Sequence, residues 1–306
     1  MQFTYSIIIP HRNSFELLQR AVESIPDRND VQILIIDNST YKIDFALLNT
    51  RKQSVIKLLY SDLSKGAGHA RNVGLNDAIG KWVLFLDADD FYNPGAFQKF
   101  DKYKESEYDI IYFAGNSVYS DTLKEANRDE RYSKLIYNFL EGKKNAEDIL
   151  RYWHIPPSSK LIKNKLIQDN SITFEEIPAS NDMMFSLKSG HYANKIFADS
   201  FPAYCLTLKE GSLTQTTNKK NTRSRYLASI RQYKFMVDIG KPEMRFKLMA
   251  MVLKSLKFGI KEFAWYINTA QKENVNIFLG MNRWPKVLYR QIHNSVKKRV
   301  ERTILS

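Results

Sequence analysis

Residues 81–90, Lys81-Trp82-Val83-Leu84-Phe85-Leu86-Asp87-Ala88-Asp89-Asp90, run unbroken through apolar side chains and stop on three carboxylates within four positions. A strand without polar alternation is covered on both faces, as in a parallel sheet between layers of helices. Tyr5–Pro10 (YSIIIP) reads the same way, Val31–Ile36 (VQILII) is the next strand and Val55–Tyr60 a third. Helix patterns separate these runs. Ser14 stands as an N-cap, and Phe15, Leu18, Ala21, Val22 and Ile25 follow at helical spacing as far as Pro26. A weaker helix falls around Phe45–Arg51, and a glycine-bearing loop opens another from Ala67 to Ala78. Downstream, Pro94 sits where an N1 proline starts a helix, and Asp109–Phe113 reads as a fifth strand. Strands joined by helices of this length imply right-handed crossovers and a mostly parallel α/β sheet, whose ligands sit at the C-terminal strand ends. Pro10, Asp37 and Asp87 fall there.

The rest of the chain divides by charge. Its 306 residues carry a net +13, but residues 219–306 hold 20 basic against 5 acidic side chains, so residues 1–218 are near neutral at −2. The expectation is a catalytic-type body over 1–218, with halves 1–115 and 116–218, and a basic amphipathic helical tail over 219–306. Within 116–218, helix patterns lie near Ala146–Trp153, Ser159–Gln168 and Asn181–Ser189, with a strand-like Phe201–Leu208. The lone Cys205 excludes a disulfide framework and a cysteine-rich zinc site, and suits a reducing compartment. The apolar core of the N-terminus is too short for a signal peptide, and no window of about 18 apolar residues spans a membrane. These features point to a cytoplasmic location.

Asp87 and Asp89 project to roughly the same side of the chain, and clustered carboxylates repel one another. A hard divalent cation shared with substrate phosphates relieves that repulsion; a solvated, Asp-rich turn is the plainer alternative. Gly66-Ala67-Gly68-His69-Ala70-Arg71 superficially follows a dinucleotide fingerprint, but Arg71 stands at the third glycine. The first strand–helix turn, where that fingerprint belongs, is Pro10-His11-Arg12-Asn13. The glycine loop retains phosphate chemistry through close backbone approach, a helix N-terminus and the Arg71 charge, or is simply a helix entry. Asp37 closes strand two, as an acceptor for a base N–H or ribose hydroxyl or as an Asx turn. His11 and His154 are lone histidines, more often structural than catalytic.

Taken together, Ser6-Ile7-Ile8-Ile9-Pro10 with Arg12-Asn13, Asp37-Asn38-Ser39, Gly68-His69-Ala70-Arg71-Asn72-Val73-Gly74-Leu75 and Phe85-Leu86-Asp87-Ala88-Asp89-Asp90 resemble the family-2 inverting glycosyltransferases of GT-A fold. Weaker matches continue through Pro157-Ser158-Ser159-Lys160-Leu161, Asn181-Asp182-Met183-Met184-Phe185 and Glu210-Gly211-Ser212-Leu213-Thr214, so the resemblance covers residues 3–215. It implies that Pro10, Arg12 and Asp37 line a nucleotide pocket, Arg71 approaches the diphosphate or ribose, and Asp87 holds the ribose or a metal-bound water. It further implies that Asp89 ligates Mn²⁺ or Mg²⁺, and that Lys209 reaches the leaving phosphates.

The family places its general base in a Glu-Asp pair at a helix start; here the pair is Asn181-Asp182, and Asp182 takes the base position. Losing the first carboxylate removes a like charge, which should leave Asp182 less raised in pKa; Glu175 and Glu176 are the acids near enough in sequence to compensate. The strand-two ending also departs, with Asp37-Asn38 where two acids are common. The implied activity is sugar transfer from a nucleotide sugar, a UDP-sugar above all, to a lipid-linked or surface-polysaccharide precursor. Leu288, Ile292, Val296, Val300 and Ile304 step along a basic helix suited to an anionic membrane, or to packing on the body; no nucleic-acid motif is present. The competing readings are a sugar nucleotidylyltransferase, which needs a glycine-rich loop that His11-Arg12-Asn13 lacks, and an inactive transferase-like adaptor.

Overall fold

The computed structural model describes residues 3–40, 48, 54–208 and 218–279. Apart from Leu48, the expected helix near Phe45–Arg51 lies outside the described residues, as do Lys209 and the stepped pattern from Leu288 to Ile304. The chain divides into two compact units between Ala228 and Ser229.

The first unit is built on one eight-stranded sheet. Its strands are β1 (Tyr5–His11), β2 (Val31–Asp37), β3 (Val55–Tyr60), β4 (Trp82–Phe85), β5 (Phe91–Tyr92), β6 (Ile110–Tyr119), β7 (Lys160–Lys163) and β8 (Ile196–Leu208), in the order β3-β2-β1-β4-β7-β6-β8-β5. The half β3-β2-β1-β4 is wholly parallel, as the apolar runs require. The register pairs His11 with Asp37 and Ile8 with Phe85, so the chain leaves β1, β2 and β4 along one edge. The other half is mixed, because β7 runs antiparallel between β4 and β6 and β5 runs antiparallel to β8.

Period-two alternation sends neighbours to opposite faces. Ile7, Ile9, Ile33, Ile35 and Leu84 join one core with α1 (Phe15–Glu23) and α3 (Ala96–Asp101). Ile8, Leu34, Ile36, Val83 and Phe85 join the other, with α2 (Gly66–Asp77), α4 (Glu130–Leu140), α5 (Ala146–Trp153), α6 (Asn164–Asp169) and α7 (Met183–Tyr192).

The helix expected over Ser159–Gln168 is instead strand β7 followed by α6, which starts at Asn164. Lys160, Leu161 and Ile162 are all buried, so this segment has no polar side to offer water, and the sheet takes it in.

Two polar residues inside strands also escape the apolar pattern. Ser6 donates to Gln32 Oε1 at 2.5 Å; Gln32 in turn donates to the Asp77 carbonyl at 3.1 Å and accepts the Ile79 N–H at 3.2 Å. The Gly80 N–H closes the set on Ser6 Oγ at 2.8 Å, so the end of α2 is satisfied from within the sheet.

The second unit is helical. It takes up α8 (Lys219–Asp238) from Ser229 onward, then a 3-10 turn at Pro242–Met244, α9 (Met249–Lys254), a second 3-10 turn at Ser255–Phe258 and α10 (Ile260–Lys272). Met236, Leu248, Val252 and Tyr266 are among its buried side chains, and Gln232 ties Met244 O and Phe246 N at 2.9 and 2.8 Å. No described helix is long and apolar enough to cross a membrane.

A methyl group at Gly80 would lie 2.6 Å from Ser6 N and 2.7 Å from the Tyr5 carbonyl carbon, both backbone atoms of a central strand. Gly80→Ala is expected to lower the unfolding free energy by about 1–3 kcal/mol. Urea denaturation checks this, as a shift in midpoint at constant slope.

Candidate active site

The loops that leave the C-terminal strand ends surround a cavity of about 480 Å³ lined by Pro10, His11, Arg12, Asn38, Ser64–Ala67, Glu176–Pro178, Asn181 and Lys220, among others. Pro10 and Arg12 thus line this cavity. Asp37 is not among the lining residues; its neighbour Asn38 is. Asp37 lies behind, buried, with its Oδ1 3.0 Å from His11 Nδ1 and accepting the Ser39 N–H. The backbone N–H of Ser14 donates to His11 Nε2 at 3.1 Å, so the ring proton is on Nδ1 and is donated to Asp37. His11 is therefore a fixed wall of the cavity. Asn38 is buried, and its Oδ1 has no hydrogen-bond partner among the described residues.

The glycine loop brings α2 against the 174–182 segment. A Cβ on Gly68 would lie 2.1 Å from the Glu175 carbonyl oxygen, so only glycine permits this approach. Arg71, one turn on, is the hub. Its guanidinium donates to Asp87 Oδ1 at 2.6 Å and to Asn181 Oδ1 at 3.0 Å, and lies 5.4 Å from the centre of the Phe174 ring. Phe174 stacks on Phe185 at 4.0 Å, and both meet Phe85 edge-on, so the ion bridge stands on an aromatic floor. Burial pulls against the Arg71 charge, and Asp87 and Asp182 outweigh it.

The three acids after β4 have three different surroundings. Asp87 is 39% exposed and faces Arg71. Asp90 is buried inward, accepting from the Tyr204 hydroxyl at 2.9 Å and the Thr207 N–H at 2.7 Å. Asp89 makes no ion pair among the described residues, although its carbonyl accepts from Arg20 and Thr207. Burial pushes the Asp89 carboxyl above the usual range and Asp87 adds to the effect, while Arg128 and Arg20 oppose it. Asp90 is pushed well above that range by burial and by the charges of Asp89 and Asp87. No group of three or more His, Cys, Asp or Glu among the described residues is arranged to hold a metal ion. The cluster offers a divalent cation one carboxylate, Asp89, under like-charge stress from Asp87.

Asp182 caps the start of α7, directly after Asn181 and after Ser180, whose φ of +61° is unusual for a side chain other than glycine. The pair is held from α8, where Ser224 Oγ accepts the Ala179 N–H and donates to its carbonyl. Burial raises the Asp182 carboxyl and Asp87 adds to it, while Arg71 and Lys160 pull it down. The missing acid's position is taken by an amide that Arg71 holds.

Glu176 pairs with His69 at 2.8 Å and Lys65 at 3.8 Å, and the Glu175 N–H donates to the Asn181 carbonyl. Lys160 is buried, donates to the His154 carbonyl at 2.7 Å and is pulled down to about 7 by burial. His154 is buried between Tyr112 and Tyr132. The sequence reading did not single out Lys160, Tyr204 or Thr207. A lysine inside the apolar Lys160-Leu161-Ile162 run was the one available signal.

A family model described as "Glycosyl transferase family 2" matches residues 6–169. The poly(ribitol-phosphate) beta-glucosyltransferase of Bacillus spizizenii is 26% identical over 223 residues, which are 67% of this chain and 32% of that protein. The chain thus spans about a third of the length of that relative. Among solved structures, Staphylococcus aureus TarS 1-349 in complex with UDP-GlcNAc aligns at a TM-score of 0.67 and 20% identity, over 89% of this chain and 80% of that one. Mannosyltransferase PcManGT from Pyrobaculum calidifontis, in complex with GDP-Man and Mn²⁺, aligns at 0.56 and 11% identity, over 94% and 81%. These likenesses establish the GT-A fold.

Two outcomes are expected. Arg71→Met leaves Asp87 and Asn181 without their donor and should cost about 1–3 kcal/mol of stability, less than a fully buried pair because Asp87 is part-exposed. Arg71→Lys, which cannot bridge both, should recover only part of this in the same denaturation experiment. Asp182 and Asp89 bind a proton more tightly folded than unfolded, so their contribution to stability is present below the usual carboxylate range and is lost as pH rises through their raised values. Asp182→Asn and Asp89→Asn should each therefore raise the melting temperature by about 2–5 °C at neutral pH, a gain that vanishes near pH 4.

Proposed function

The chain belongs to glycosyl transferase family 2, and on that premise we propose that it transfers a sugar, with inversion, from a UDP-sugar to a hydroxyl of a lipid-linked or surface-polysaccharide precursor. Residues 1–218 form the catalytic domain in this reading, and 219–306 hold it at the anionic cytoplasmic face of a membrane. The observation that carries it is the Asn181–Arg71–Asp87 bridge, which joins the wall of the cavity to the acidic cluster and sets Asp182 beside both. The glucosyltransferase name of the B. spizizenii relative and the UDP-GlcNAc complex of the S. aureus structure support the choice of donor.

In this reading the nucleoside occupies the cavity between Pro10, Arg12 and Asn38, where the unpartnered Asn38 Oδ1 accepts from the base. Arg71 orients Asp87 toward the ribose or diphosphate. Asp89 would hold Mn²⁺ or Mg²⁺, which when bound neutralises charge on the departing diphosphate. Lys209, outside the described residues, is kept as a further diphosphate contact. Asp182 accepts the proton of the acceptor hydroxyl as that oxygen bonds to the anomeric carbon, while the bond from that carbon to the nucleoside diphosphate breaks on the opposite face. Burial makes Asp182 a stronger base than a surface carboxylate, and Arg71 and Lys160 help keep it ionised before transfer.

Calorimetry with UDP, with and without Mn²⁺, tests the donor side: Asp89→Asn should lose the Mn²⁺-dependent part of the affinity, and an unchanged value refutes the assignment. Turnover of UDP-glucose or UDP-GlcNAc tests the base. Asp182→Asn should keep UDP affinity and lose roughly a hundredfold or more in rate; normal turnover in that variant removes Asp182 from the role.

A further inference from the structure

The helical unit carries a surface corner with no part in the site described above. α9 ends at Lys254, the 3-10 turn Ser255–Phe258 follows, and Gly259, at a φ of +98° that favours glycine, turns the chain into α10. Leu253, Leu256 and Ile260 face solvent on this corner. Ile260, at 77%, is the most exposed large apolar side chain among the described residues. Each is followed directly by an exposed lysine, Lys254, Lys257 and Lys261. Three exposed apolar side chains and three exposed lysines thus share the short segment 253–261. No acid lies between Glu243 and Glu262, and Glu262 itself is buried. None of the three lysines makes an ion pair among the described residues.

We propose that this corner is the docking surface of the helical unit on an anionic lipid bilayer, with Leu256 and Ile260 entering the acyl boundary and the three lysines meeting the phosphates. Exposed apolar side chains interleaved with unpaired lysines demand a partner that is apolar and anionic at once. A bilayer interface offers both at adjacent depths, and lysine stems reach from one level to the other. A nucleic-acid backbone would satisfy the lysines and leave Ile260 in water. The net charge of +15 over 219–306 favours the same partner. The inference deepens the membrane part of the proposed function and is independent of the transfer chemistry.

The test is co-sedimentation of the full chain with phosphatidylcholine vesicles and with vesicles containing about a third phosphatidylglycerol. The wild type should bind the anionic vesicles and not the neutral ones. Lys254→Glu/Lys257→Glu/Lys261→Glu should weaken binding at least about a hundredfold. Leu256→Ser/Ile260→Ser should weaken it about tenfold or more while keeping its salt dependence. Because these side chains are exposed, melting curves should be unchanged, and UDP affinity, read in parallel, reports on the donor site alone. Wild-type binding in both variants overturns the proposal by assigning docking to another part of the chain. Failure of the wild type to bind anionic vesicles also overturns it. A single-stranded oligonucleotide bound more tightly than the vesicles, with Leu256 and Ile260 without effect, overturns it in favour of nucleic acid.

Discussion

One guanidinium holds the site together. Arg71 comes from α2, Asp87 from the end of β4, Asn181 from the turn before α7 and Phe174 from the segment between α6 and α7; none of these is adjacent in sequence to another. A planar fork with donors on two sides can meet a carboxylate and an amide at once while its face rests on a ring, which an ammonium cannot do. The geometry explains why Gly68 is needed one turn earlier and why Phe85 and Phe185 pack beneath. Arg71 and Asp87, both proposed to face the donor, belong to this bridge.

The acids around the bridge oppose folding as much as they serve it. Asp89, Asp90 and Asp182 all sit where burial favours their neutral forms, and Asp87 adds its charge to each. Asp90 is compensated by the Tyr204 hydroxyl and the Thr207 N–H, which suits a structural support under the loop. Asp89 and Asp182 have no such direct compensation among the described ion pairs. Sites that keep charge under strain in this way are where activity and stability compete.

The sheet was legible because its information is local: the apolar runs at Tyr5, Val31 and Lys81 each announce a two-sided strand by themselves, whereas Val55–Tyr60 is a half-exposed edge strand. β7 was not, since Leu161 and Ile162 fit either period and only the space between β4 and β6 decides. The acidic cluster was legible as a cluster, yet its division of labour depends on Tyr204, Thr207 and Arg71, partners distant in sequence. Asp37 illustrates the limit: its place at a strand end was readable, but its attachment to His11 follows from the parallel register of β1 and β2. Ser6 and Gln32 look like interruptions of strands until Gly80 and Asp77 arrive from the end of α2.

The inward anchoring of Asp90 has a consequence for the order of events on the ribosome. The parallel quartet β3-β2-β1-β4 is complete in sequence by Phe85, whereas Thr207 lies 117 residues beyond Asp90, which it meets. At a synthesis rate of roughly 5–20 residues per second, the nascent chain waits about 6–24 s between the emergence of these two groups. During that interval the loop that ends in Asp90 has no inward partner, and the carboxylate stays in water. The acidic loop is thus among the last parts of the sheet to be fixed, and β8 acts as the latch that turns a folded half-sheet into a finished site.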